Sequence, residues 1–351
     1  MAYNFAVKKY ANGTVQLTYY ERPILNSEDI KDLYNTQTAA GPKTESFFVD
    51  ADYYERSFDD SNYYTPWGYE ELVDISEEED LRDDDQDNNG ECISDVKRDP
   101  DRSLLVSINR TKHKIYDYGR NNIWDWFFTF TLSDMSVTDR KDYSKCAKKV
   151  TTWLKNIKYR KCPDMGYLVV PEKHPTSGAW HFHALVNNVD ELTFIKAVNQ
   201  QAFMKDDDGN IILNKKGQPV PNKYFGKYLR TSYPDGDYIY NVKDYGLGWS
   251  TATRVKDSKK AVSYIVKYIT KDLAASTFGK RRFYPSKNLT LPERTLGMFD
   301  KDNFLELVTY IEYTYNVRLS TDYIKSISVF GSGFENKISY MEFEGEDNAF
   351  E

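Results

Sequence analysis

The run Trp180-His181-Phe182-His183-Ala184-Leu185-Val186 holds two of the chain's four histidines, one residue apart. An apolar run of this length reads as a buried strand, and strand side chains alternate faces. His181 and His183 therefore share one face, while Phe182 enters the opposite layer. Two imidazoles side by side can hold one metal ion. The plain alternative is a pair of hydrogen-bonded histidines on a sheet face. Upstream lies a second apolar run, Met165 to Glu172, and the Pro175 to Gly178 stretch between them marks a turn. The two runs then form an antiparallel hairpin in which Glu172 faces His181, their Cβ atoms about 5 Å apart. A carboxylate with two imidazoles and open coordination positions suits Mg²⁺ or Mn²⁺ better than a closed structural zinc site. His174, in the loop, is a rival third ligand.

About eighty residues on, Ala261 to Lys271 reads as one amphipathic helix. At about 100° per residue, Tyr264, Lys267, Tyr268 and Lys271 form one stripe, and Val262, Ile265, Val266 and Ile269 the other. With 29 tyrosines in the chain, a Tyr-x-x-x-Tyr pair is expected about twice by chance. The doubled Tyr-x-x-Lys pattern on the face away from the core is what singles this one out.

Net charge is −7, yet the charge is divided. Residues 71–95 carry 12 acidic side chains against one arginine, whereas residues 103–290 carry 32 Lys/Arg against 17 Asp/Glu. A segment that basic suits phosphate-backbone binding. The acidic run reads as a solvated linker; the sharper reading is an internal mimic of DNA that shields the basic surface.

Thr129-Phe130-Thr131 in an apolar strand, the His-Phe-His motif with its upstream Glu172, and Tyr264-Ile265-Val266-Lys267-Tyr268-Ile269-Thr270-Lys271 occur in that order. Together they resemble rolling-circle replication initiators of the HUH endonuclease superfamily. The tyrosines one turn apart are similar to those of the two-tyrosine initiators of small single-stranded DNA phages and related plasmids. In relaxases the tyrosine precedes the histidine pair; here it follows. The resemblance covers about residues 103–290. It implies histidines on a central strand of an antiparallel sheet, a nucleophile on a nearby helix and a 5′-phosphotyrosine intermediate that leaves a free 3′-OH. Its implied partners are single-stranded DNA at a replication origin and a host helicase and polymerase. Tyr264 is expected to attack first, steadied by Lys267, with Tyr268 making a second cleavage. Alternatives are an HUH strand-transfer enzyme, such as a transposase, and a non-catalytic nucleic-acid-binding regulator.

The coarse reading of the core is α+β. Trp124 to Leu132 is a strand; Thr138 caps a helix reaching Tyr159; residues 165–187 form the hairpin; Leu192 to Met204 is a second helix. Short hairpins with turns at Asp208-Gly209 and Asp235-Gly236 follow, and Gly248 to Val255 is a strand leading into the tyrosine helix. The order resembles a ferredoxin-like or RRM-like sheet with its helices on one face, which leaves the histidine face open. Residues 1–70 form an N-terminal region, 71–102 an acidic linker, 103–290 the endonuclease domain and 291–351 a C-terminal α/β appendage. Trp180 and Phe225 are candidates to stack on bases, and Arg281 and Arg282 to contact phosphates. Asp244 and Asp257 have no position fixed by sequence. Cys92, Cys146 and Cys162 form no CxxC pair, which with no signal peptide fits a reducing cytoplasm. No apolar run approaches the roughly 20 residues of a membrane span, and no P-loop is present.

Deleting residues 71–95 should tighten non-specific DNA binding and steepen its salt dependence, if the acidic run competes for the basic surface. Affinity unchanged at low salt in a titration would favour the linker.

Overall fold

The computed structural model describes residues 3–24, 48–49, 100–206, 210–232, 236–299, 304–330 and 334–345. The acidic run, Cys92 and the residues Asp208, Gly209 and Asp235 of the two expected turns lie outside the described residues. The chain divides into two compact units, Met1–His113 with Leu291–Glu351, and Lys114–Thr290.

The first unit is built on a six-stranded antiparallel sheet. Its strands are β1 (Tyr3–Lys9), β2 (Val15–Ile24), β3 (Phe48–Val49), β11 (Glu293–Gly297), β12 (Val317–Phe330) and β13 (Phe334–Gly345), in the order β11-β1-β2-β13-β12-β3. The N-terminal region and the C-terminal appendage, separate stretches of sequence, thus share one sheet. Leu17 on β2 pairs with Met341 on β13. Leu307 and Ile311 of helix α5 (Phe304–Tyr315) pack with Val15, Leu17, Met341 and Phe343 in its core.

The second unit carries the motifs. Helix α1 (Pro100–Asn121) enters it from Lys114 onward. A seven-stranded antiparallel sheet follows: β4 (Trp126–Leu132), β5 (Gly166–Lys173), β6 (Trp180–Asn187), β7 (Phe194–Lys196), β8 (Tyr240–Val242), β9 (Gly248–Arg254) and β10 (Tyr284–Pro285). Their order is β10-β5-β6-β4-β9-β8-β7, so the histidine strand β6 and the Thr-Phe-Thr strand β4 are central neighbours. Helix α2 (Tyr143–Arg160) joins β4 to β5, and α3 (Ser258–Val266) and α4 (Lys271–Ser276) follow β9. The fold is α+β, as expected.

Three expectations are corrected. Helix α2 starts at Tyr143, not after Thr138. Asp142 is its N-cap, accepting from the Lys145 N–H at 3.1 Å, and the Arg140 carbonyl is committed to the Trp180 N–H. A carboxylate close to the first free N–H groups is a strong N-cap. Residues 192–204 form no helix; they give β7 and a chain of β-bridges. The Phe194 ring stacks on Trp126 at 4.2 Å, and Thr193, Ile195 and Val198 favour extended backbone. Nor do the helices share one sheet face. Trp153 of α2 packs against Phe130, on the Phe182 side, whereas Tyr264 of α3 meets Phe127, on the histidine side.

Glycine at position 119 sets how closely α1 approaches α3. A Cβ there would lie 2.6 Å from Val262 Cγ1 and 2.7 Å from Cγ2. Overpacking costs about 1–3 kcal/mol, more than the up to about 1 kcal/mol that alanine gains over glycine in a helix. Gly119→Ala should therefore lower Tm, and adding Val262→Ala should recover part of the loss. A Tm equal to wild type in the single variant would contradict the close approach.

Candidate active site

The β5–β6 register opposes Glu172 to His181 and Val170 to His183, as the hairpin spacing implies. Across the other edge of β6, β4 opposes Thr131 to His181 and Thr129 to His183. Each threonine hydroxyl lies against the Nδ1 of its histidine, at 3.2 Å for Thr131 and 3.1 Å for Thr129. The Glu172 carboxylate reaches diagonally and accepts from His183 Nε2 at 2.8 Å. A proton on Nε2 leaves His183 Nδ1 as the acceptor of the Thr129 hydroxyl proton. Sequence reading took the two threonines as a motif and missed their role. The period-two spacing that pairs the histidines also pairs the threonines.

The surroundings shift both Glu172 and His181. The hydrogen bond from His183 holds the Glu172 carboxyl below the usual carboxylate range, with the nearby rings of His181 and His174 adding to the effect. Burial pushes the His181 pKa down, and the neighbouring His174 pushes it further, so the neutral imidazole is favoured. The His174 ring lies 5.4 Å from His181, and its Nδ1 accepts from the Ser177 N–H, which ties it into the hairpin turn. Among the described residues no three His, Cys, Asp or Glu side chains are drawn together as a metal-ligand group.

The tyrosine segment departs from a single helix. Helix α3 ends at Val266 with Lys267 as C-cap; Tyr268 falls in the turn, and Thr270 caps α4, which starts at Lys271. Lys271 is therefore removed from the stripe that was to hold both lysines, while Lys267, still right-handed helical, keeps its place three residues after Tyr264. The break follows from packing and capping. Val262, Ile265, Val266 and Ile269 are all buried, and the Thr270 hydroxyl claims the Leu273 N–H for a new helix start. Asp257 N-caps α3 through the Lys260 N–H, and Asp244 pairs with Lys161 and accepts from the Thr193 N–H.

The two tyrosines occupy different environments. The Tyr268 ring lies flat on His183, centroids 3.9 Å apart and 5° from parallel. Tyr264 stands edge-on to Tyr268 at 5.3 Å and to Phe127 at 5.4 Å, and is 48% exposed. Burial pushes the Tyr268 phenol pKa up, and a hydrogen bond with the Tyr264 hydroxyl pushes it further.

Two nucleic-acid candidates change. Trp180 is 2% exposed, its Nε1 donates to the Lys141 carbonyl, and its ring packs on Tyr143, so it is core and not a base-stacking surface. Arg282 is half-buried and directs a guanidinium N–H toward the Ala274 carbonyl at 3.4 Å; Arg281 is exposed. Phe225 is exposed, on the insert between β7 and β8. No helix among the described residues is long and apolar enough to cross a membrane.

A raised folded-state pKa makes Tyr268 a source of alkaline sensitivity. Below about pH 10 both states keep the proton; above it the unfolded chain ionises first and is favoured. In ¹³Cζ-tyrosine NMR, the resonance lost on Tyr268→Phe should remain protonated at about pH 11, above the ordinary tyrosine pKa. Titration in the ordinary range would contradict the stacked, buried phenol.

Residues 125–273 match a family model of replication-associated proteins, the one described under the name ORF2. No curated protein and no solved structure matches the chain. The matched segment runs from just before β4 into α4, and so contains both threonines, Glu172, both histidines and both tyrosines. It supports a replication-initiator family for this part of the chain.

Proposed function

We propose that the chain is a rolling-circle replication initiator that nicks and rejoins single-stranded DNA through a 5′-phosphotyrosine. The observation that carries this reading is Tyr268 stacked on His183 with Tyr264 edge-on beside it, on the sheet face that carries Glu172 and His181, within a segment matching a replication-associated family.

The donor set suits a divalent oxygen-preferring ion, Mg²⁺ or Mn²⁺. Glu172, His181 and His183 would hold it through the carboxylate and the two Nε2 atoms, since each Nδ1 is engaged by a threonine. A hydroxyl both donates and accepts, so Thr129 supports either tautomer of His183, including the one whose Nε2 is free to bind. When bound, such an ion would draw charge from a non-bridging oxygen of the scissile phosphate.

Tyr264 is the first nucleophile in this reading. Its side chain is half exposed, while Tyr268 keeps its proton and can donate to the Tyr264 oxygen as charge develops there. Lys267, three residues on, places a cation on the same helical face. The Tyr264 hydroxyl gives its proton to solvent as its oxygen bonds to phosphorus, the bond from phosphorus to O3′ breaks, and O3′ takes a proton from water and leaves as a 3′-OH that can prime synthesis. The phosphotyrosine retains the energy of the broken linkage, so a 3′-OH can later reverse the step and join strands. Tyr268 serves the second cleavage while Tyr264 is esterified, and leaving the His183 ring is the movement this requires of it.

Tyr264→Phe should remove most of the covalent adduct formed with a single-stranded oligonucleotide in one turnover, and Tyr268→Phe should spare it while impairing joining. DNA mapped to Tyr268 alone would reverse the order, and DNA on neither would end the nuclease reading. His181→Ala should abolish cleavage with fold and DNA binding nearly intact, and chelation should do so reversibly. Robust cleavage in excess EDTA would refute the ion. Thr131→Val should weaken Mn²⁺ binding about ten-fold by calorimetry, the lower end of the effects seen when a group supporting a metal ligand is removed; unchanged affinity would free Thr131 of that role.

A further inference from the structure

Between β7 and β8 the chain makes an excursion held by isolated bridges, Val198 with Tyr228, Phe203 with Pro221, and Arg230 with Tyr238. Its most closely bonded piece is the turn Asn222 to Tyr228. Asn222 is buried and bonds in four directions. Its N–H donates to the Ala202 carbonyl, its side-chain amide to the Gln201 carbonyl, and its two oxygens accept from the N–H groups of Tyr224 and Phe225. Gly226 follows with φ +74°, in open space, and donates to the Asn199 carbonyl. This turn is pre-organised.

What it presents is Lys223-Tyr224-Phe225-Gly226-Lys227-Tyr228. Phe225 is 56% exposed and Tyr228 is exposed as well. The Lys223 ammonium lies 4.9 Å from the Tyr224 ring centre and Lys227 5.8 Å from it. From Ile211 to Arg230 the sequence holds five Lys or Arg and no Asp or Glu. A surface phenylalanine on a hydrogen-bonded turn, with a lysine two residues away on either side in sequence, is complementary to a nucleobase face flanked by phosphates, the combination that non-specific single-strand binding uses.

We propose that the Asn222–Tyr228 turn is a second single-stranded DNA contact, separate from the histidine face, in which Phe225 stacks on a base and Lys223 and Lys227 hold the adjoining phosphates. It rests on the reading of the chain as a DNA-acting protein but not on its chemistry. The buried Asn222 acts as positioning residue for the turn.

The test is fluorescence anisotropy of the full chain with labelled oligothymidylate of about 20 nucleotides, longer than a single module's site, in EDTA. Chelation silences cleavage, so this readout survives even if the nuclease reading fails. Phe225→Ala should weaken binding about ten-fold, Phe225→Tyr should retain it, and Tm should be unchanged. Lys223→Gln with Lys227→Gln should reduce the slope of log affinity against log salt by about 1.4. Wild-type affinity in Phe225→Ala would overturn the proposal. So would an equal loss on a duplex of the same length, whose base faces are covered. A change in sedimentation of the protein alone, without loss of DNA binding, would make the turn an interface between copies and overturn it too.

Discussion

The antiparallel pairing of β4 with β6 is the constraint on which the rest of the candidate centre depends. It sets Thr131 beside His181 and Thr129 beside His183, so each imidazole is oriented by a hydroxyl on the neighbouring strand. The same register buries Phe128, Phe130 and Phe182 completely on the other side. A slip of one residue would exchange the two faces, sending phenylalanines to the surface and imidazoles into the core. The hydrophobic layer therefore enforces the polar geometry. Neither could be shifted alone.

That geometry accounts for the tyrosines. A flat aromatic ring needs a flat partner, and His183, held by Thr129 on one side and Glu172 on the other, offers one to Tyr268. Tyr264 is left edge-on and half exposed. Had α3 continued through Lys271, both rings would have risen from one regular stripe. The break at Val266 places Tyr268 in a turn instead, its N–H directed to the Ile265 carbonyl and its own carbonyl accepting from the Thr270 N–H. Two chemically identical residues four apart are thereby made unequal by burial and by each other.

Charge is arranged on the same scale. The basic excess of residues 103–290 covers the segment that carries the motifs, and part of it sits on the β7–β8 excursion, where a buried asparagine shapes the turn that displays it. The overall negative charge of the chain says little about this segment, because the acidic residues cluster elsewhere in sequence. A phosphate within a Debye length responds to local charge, not to the sum.

Sequence by itself determined the hairpin, its register, the shared face of His181, His183 and Glu172, the buried stripe of α3 and the α+β class. These follow from periods of two and 3.6 residues and from turn chemistry, which act locally. It misplaced the start of α2, made a helix of residues 192–204 and ran α3 through Tyr268, because competing caps and an available sheet edge act across the fold. It also offered Trp180 as a surface ring, since indole on a strand reads alike whether it meets solvent or Tyr143. Only the tertiary structure decided that Thr129 and Thr131 brace the histidines, that α3 lies on the histidine face, and that Tyr268 rests on His183 while Tyr264 does not. Those are contacts between elements distant in the chain, and they are selected by which surfaces pack closest, a property no single segment carries.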